Sequence, residues 1–101
     1  MKLYDCTDVI RSKNSGPFEL TFDIMFKTKE IFEKFRDANI MTKKVFADLY
    51  NIKESDILGI IAFPPAKAIK ITIKRPLPSG SLGECDVYGA QQHAPLMDFE
   101  W

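Results

Sequence analysis

The chain has little material for metal or thiol chemistry, holding two distant cysteines, Cys6 and Cys85, and a single histidine, His93, in 101 residues. No Cys-x-x-Cys pair and no Cys/His spacing of a zinc site occurs, so neither a metal nor a cofactor is expected. Surplus charge is also missing. Lys plus Arg number 14 and Asp plus Glu number 14, which removes the global electrostatic attraction that nucleic-acid binding or polybasic membrane attachment would use. No apolar run nears the roughly 20 residues of a membrane helix. The opening residues Met1 to Cys6 lack the apolar core of a signal peptide, so a cytoplasmic protein is expected. In a reducing compartment the two cysteines read as free side chains rather than a disulfide.

What is present is apolar and aromatic. A hydrophobic fraction of 46% with eight Phe excludes a disordered chain, and the length suits one domain, residues 1–101, around one core. Leu3 to Ile10 fits either a short helix capped by Asp5 or Thr7, or a strand entering a turn at Arg11 to Pro17. Phe18 to Phe26 alternates Phe18, Leu20, Phe22, Ile24 and Phe26 against Glu19, Thr21 and Asp23, the pattern of a strand with one face in the core. Thr28 is placed to cap a helix over Lys29 to Ala38 that stops at Asn39, and Thr42 to cap a second over Lys43 to Tyr50. Ile57 to Phe63 and Ala68 to Lys74, separated by Pro64 and Pro65, predict an antiparallel hairpin. Leu96 to Trp101 alternates like a final strand. Together these predict an α+β, two-layer fold with a predominantly antiparallel sheet and two helices on one face, nearest to a ferredoxin-like arrangement.

Two polar stretches are candidate sites. Arg11, Ser12, Lys13, Asn14 and Ser15 can form an anion cradle, the Arg fork joined by backbone N–H groups, or simply a solvated turn of residues favoured there by conformation. The second stretch lies in the Gly- and Pro-rich segment from Pro76 to Pro95, too long for an ordinary connection. There Tyr88, Gln91, Gln92 and His93 offer amides suited to carboxylate oxygens and one imidazole for proton exchange, which makes His93 the candidate catalytic residue. Arg11, Asn14, Gln92 and His93 are expected to converge on one polar patch. Glu19 and Asp23 read as charge partners of Lys70 and Lys74 across the sheet. Lys67, Lys70, Lys74 and Arg75 form a local basic patch, either for a phosphate or CoA or as the outcome of strand alternation. RNA recognition would require aromatics on the exposed sheet face, where the alternation puts none.

The segments Val9–Thr21 (VIRSKNSGPFELT), Leu58–Ile60 (LGI), Ala68–Pro76 (AIKITIKRP) and Asp86–Leu96 (DVYGAQQHAPL) together resemble a family of small bacterial proteins known only as a domain of unknown function. Members of that family look like companions of the acyclic terpene utilisation AtuA family. The chain is also similar to the small ferredoxin-fold domain at the AtuA C-terminus. A loop Arg-Ser-Gly-Asp-Lys-Gly-Asn of that domain stands where Arg11-Ser12-Lys13-Asn14-Ser15-Gly16-Pro17 occurs here, with the Asp and the second Gly replaced. The resemblance implies a subunit or accessory protein of an AtuA-like partner, acting on an acyl-CoA or a branched carboxylic acid, while the composition leads to the expectation of no nucleic-acid or membrane partner. Two alternatives are a small lyase or hydratase, in which His93 moves a proton and Arg11 holds a carboxylate, and a self-assembling domain that pairs exposed strand edges between copies.

Overall fold

A computed structural model describes residues 1–16, 18–74 and 94–101. A 3-10 turn at Leu3–Cys6 leads into strand β1 (Thr7–Gly16) and strand β2 (Glu19–Phe26). Helices α1 (Lys29–Asp37) and α2 (Lys43–Tyr50) follow, then strands β3 (Ile57–Phe63) and β4 (Ala68–Lys74), and a single helical turn α3 (Ala94–Met97). The four strands form one antiparallel sheet in the order β1-β2-β4-β3, so the fold is α+β.

The local signals for the helices operate as the sequence suggests. Thr28 Oγ1 accepts the Ile31 N–H at 3.2 Å and Thr42 Oγ1 accepts the Val45 N–H at 3.1 Å, satisfying one otherwise orphaned donor at each helix start. Asn39 and Asn51 take left-handed φ values of 52° and 55° and end the two helices, a conformation asparagine adopts at lower cost than most residues.

The strand register sorts the side chains into rungs on two faces. On the inner face the rungs are Ile10–Ile24–Ile69–Ala62, Ser12–Phe22–Ile71–Ile60 and Asn14–Leu20–Ile73–Ile57. Phe22 meets Phe46 and Tyr50 of α2 edge-on, each at 5.1 Å between ring centroids. Phe26 lies 6.2 Å from Phe32 and 5.0 Å from Phe35 of α1. Each fully buried aromatic ring contributes about 1.5–3 kcal/mol, so this line of five phenylalanines carries much of the core.

Several expectations change. The described strands and helices run β-β-α-α-β-β-α, with α1 and α2 in one connection. This is not the β-α-β-β-α-β order of a ferredoxin-like arrangement. Leu3 to Ile10 is neither helix nor strand throughout: its first half is the 3-10 turn, where Thr7 Oγ1 donates to the Leu3 carbonyl at 2.8 Å, and its second half is strand. Leu96 to Trp101 is not a strand of the sheet. Leu96 and Met97 belong to α3, and the residues after them serve a different purpose: Glu100 makes an isolated bridge with Lys2, Leu3 N–H donates to Phe99 O at 2.8 Å, and Trp101 stacks edge-on against Phe35 at 5.0 Å. Phe18, expected in the core, lies just before β2 and is exposed.

Candidate functional site

The outer face of the sheet, away from the helices, repeats the rung logic with different chemistry. Its upper rung is Val9–Met25–Ala68–Phe63, its middle rung Arg11–Asp23–Lys70–Ile61, and its lower rung Lys13–Thr21–Thr72–Gly59. A groove of about 320 Å³ lies over the upper and middle rungs and reaches Lys13 of the lower one, lined by the polar Arg11, Lys13, Asp23 and Lys70 and by the apolar Met25, Ile61, Phe63 and Ala68. It therefore joins cationic and apolar side chains.

The central charge is enclosed. Asp23 is 8% exposed on β2, an inner strand, with Arg11 of β1 and Lys70 of β4 flanking it in the same rung. Alternation alone marked Thr21 and Asp23 as solvated, and both are buried on this inner strand. Arg11 Nε donates to Asp23 Oδ2 at 3.0 Å. A carboxylate taken out of water needs such a partner, since a charge-assisted hydrogen bond offsets part of its desolvation. Lys70 stands opposite Asp23 and Lys74 opposite Glu19, the cross-strand register read from the sequence. The groove thus holds three cations against one carboxylate, an excess of positive charge beside exposed Ile61 and Phe63.

The cradle residues fare differently from the expectation of a turn. Arg11 to Ser15 lie within β1, so successive side chains take opposite faces: Arg11 and Lys13 outward, Ser12 and Asn14 inward with Phe22 and Leu20. Ser12 is buried and Asn14 half-buried, and both are engaged in interactions. Arg11 and Asn14 therefore do not share a face, and the cradle is replaced by an Arg11–Asp23–Lys70 row. Tyr88, Gln91, Gln92 and His93, like Cys85 and Arg75, lie outside the described residues. Among the described residues no cluster of three or more His, Cys, Asp or Glu could hold a metal ion, and no helix is long and apolar enough to cross a membrane. Cys6 is a buried free thiol.

A second hollow, about 370 Å³, lies beside the first turn of the chain between Tyr4, Asp8, Lys27 and Met97. It brings together one acid and one base with no row of like charges, and offers less to a ligand than the sheet face.

The sequence carried a signal for the apolar lining of the groove. Ile57 to Phe63 is apolar at both parities, so one set of side chains had to face away from the helices.

A family model described as a domain of unknown function (DUF4387) matches residues 3–100. The chain belongs to this family. No curated protein and no solved structure matches the chain. DUF4387 membership bears out the resemblance to a domain-of-unknown-function family, carries no link to AtuA and assigns no chemistry, so function has to be argued from the sheet face itself.

Proposed function

We propose that this DUF4387 protein is a small cytoplasmic accessory subunit that docks by its outer sheet face onto a larger AtuA-like protein, completing or regulating a site that acts on an acyl-CoA or a branched carboxylic acid. The supporting observation is the groove over Arg11, Asp23 and Lys70, where Ile61 is 64% and Phe63 56% exposed beside a net positive row. Large apolar side chains grouped on an open sheet face, rimmed by polar residues, are the composition of an interaction surface. The resemblance supplies the identity of the partner and the substrate class. Arg11 is tied through Nε to Asp23, so within the subunit its first role is to hold that carboxylate, and Lys13 and Lys70 are left to meet acidic groups of the partner.

Co-expression with an AtuA-like protein encoded beside it tests this reading. A stoichiometric complex is expected, weakened about tenfold or more, and made less salt-sensitive, by the paired substitutions Lys13→Glu and Lys70→Glu. Failure to form a complex, or a complex indifferent to both reversals, would refute it.

A further inference from the structure

The geometry points to β3 as a homodimer interface: two copies pair their β3 edges antiparallel about a two-fold axis through Ile61, extending each four-stranded sheet into one of eight strands. β3 ends the sheet order, so among the described residues one side of it has no strand partner. Edge strands normally carry charge or proline to discourage pairing. Between Ile57 and Phe63 there is neither. The other edge, β1, shows the usual protection, with Asp8, Arg11 and Lys13 exposed along it.

The occupant best matched to this edge is the edge itself. A bulge between Ile57 and Gly59 interrupts regular pairing at one end, and Pro64, opening a 3-10 turn, ends the strand at the other. Regular strand is left at residues 59 to 63, and its midpoint is Ile61. Antiparallel pairing about that midpoint keeps outward residues with outward residues, because directly opposed side chains share a face. Ile61 then meets Ile61 of the second copy, Ile60 meets Ala62, and Gly59 meets Phe63. The last match is specific. A side chain built at Gly59 would touch nothing within 4 Å, so the glycine leaves open space on the face where the opposing Phe63 ring, 56% exposed in one copy, would lie. An aromatic opposite a glycine is a recognised way of covering exposed strand backbone.

The inner side of the edge is suited as well. A groove of about 130 Å³ lies between Ile60 and Ala62 of β3 and Ile40 and Met41 of the helical layer, with Arg36 and Asn39 also lining it, so apolar side chains flank the edge on the inner face beside a polar border. The uncharged strand brings no like charges together in self-pairing, whereas β1 paired with itself would oppose cation to cation or anion to anion in several registers. Five paired residues per copy make a small interface, consistent with a dimer that dissociates at concentrations on the order of 10–100 μM.

Sedimentation equilibrium of the full chain from about 1 to about 500 μM, a range set by that affinity, should show a mass rising from 11.6 kDa toward twice that value. Ile61→Lys should hold the protein monomeric throughout. Gly59→Val is the sharper variant, since the space at Gly59 accommodates the side chain in one copy: it should leave the thermal midpoint at low concentration unchanged or raised, yet weaken dimerisation about tenfold or more, equivalent to at least about 1.4 kcal/mol. In a Cys85→Ser background, Ile61→Cys should form an oxidised dimer, and Lys13→Cys, on the opposite edge, should not. A chain that stays monomeric at the highest concentration, a dimer indifferent to Gly59→Val, or equal cross-linking through Lys13→Cys would overturn the proposal. None of these measurements involves the larger partner.

Discussion

Phe22 offers the most direct measure of how the sheet and helices hold together. It is fully buried at the centre of β2, between Ser12 and Ile71 on the flanking strands, and it meets Phe46 and Tyr50 edge-on. Phe22→Ala removes the whole ring. Both neighbouring strands are hydrogen-bonded in place, so the site cannot collapse readily, and the loss should fall at about 4–5 kcal/mol, the upper part of the range for such truncations. For a chain of this size that is a large part of a total of about 5–15 kcal/mol. Phe22→Leu keeps most of the volume but removes the two ring pairs, each contributing about 0.5–1.5 kcal/mol beyond its area, so roughly 1–3 kcal/mol should be lost. Urea unfolding followed by circular dichroism would report this as a lower midpoint with an unchanged slope. A cycle combining Phe22→Leu with Tyr50→Leu should show coupling of about 0.5–1.5 kcal/mol. A loss below about 1 kcal/mol for Phe22→Ala, or no coupling, would refute the placement of α2 over this ring.

Other parts of the molecule make separate predictions. Arg11→Met leaves the enclosed Asp23 carboxylate without its 3.0 Å partner and should cost about 1–2 kcal/mol, most of it recovered on adding Asp23→Ala, as urea unfolding would show. Burial pushes the Tyr50 phenol above its ordinary value, with the Leu96 backbone acting in the opposite direction. The protonated form is thus favoured by folding: this contribution is intact below the unfolded pKa of about 10 and declines as pH rises past it, by up to about 1.4 kcal/mol per pH unit. Tyr50→Phe should flatten that decline in thermal midpoints between about pH 9 and 11 relative to the parent chain. Trp101→Phe keeps a ring against Phe35 and removes a buried indole Nε1 that has no hydrogen-bond partner among the described residues. It should be neutral or stabilising by up to about 1 kcal/mol in thermal unfolding, whereas Trp101→Ala should destabilise.

The helices and three strands were legible because their signals are local. A Thr at each helix start, an Asn at each stop and a two-residue alternation in β2 and β4 all act within a few residues. The candidate site was less legible because it depends on strand order. Alternation showed that Asp23 faces away from the core, but only a neighbour on each side turns that position from solvated to enclosed, and strand order is a long-range property. Arg11 to Pro17 read as a turn because Ser, Asn, Gly and Pro dominate there, and over residues 11 to 16 local composition yielded to pairing with β2. Leu96 to Trp101 failed the opposite way. Its alternation is real, but six residues can satisfy a period of two by packing against the chain's first turn and α1 without joining a sheet.

The strand order also bears on the route by which the chain folds. β1 with β2 and β3 with β4 are neighbours in sequence, and each pair can close as a hairpin on its own. The β2–β4 seam joins the two hairpins only after the entire helical segment between them has been drawn together. Closing that larger loop carries an entropy cost that the hairpins do not face, so the seam is where the folding barrier should lie. Truncations on either side of it, such as Ile71→Val, are then expected to slow folding, while those in β1 chiefly hasten unfolding. β2, which carries Asp23, and β4 would thus be the last to meet and the pair that sets the rate.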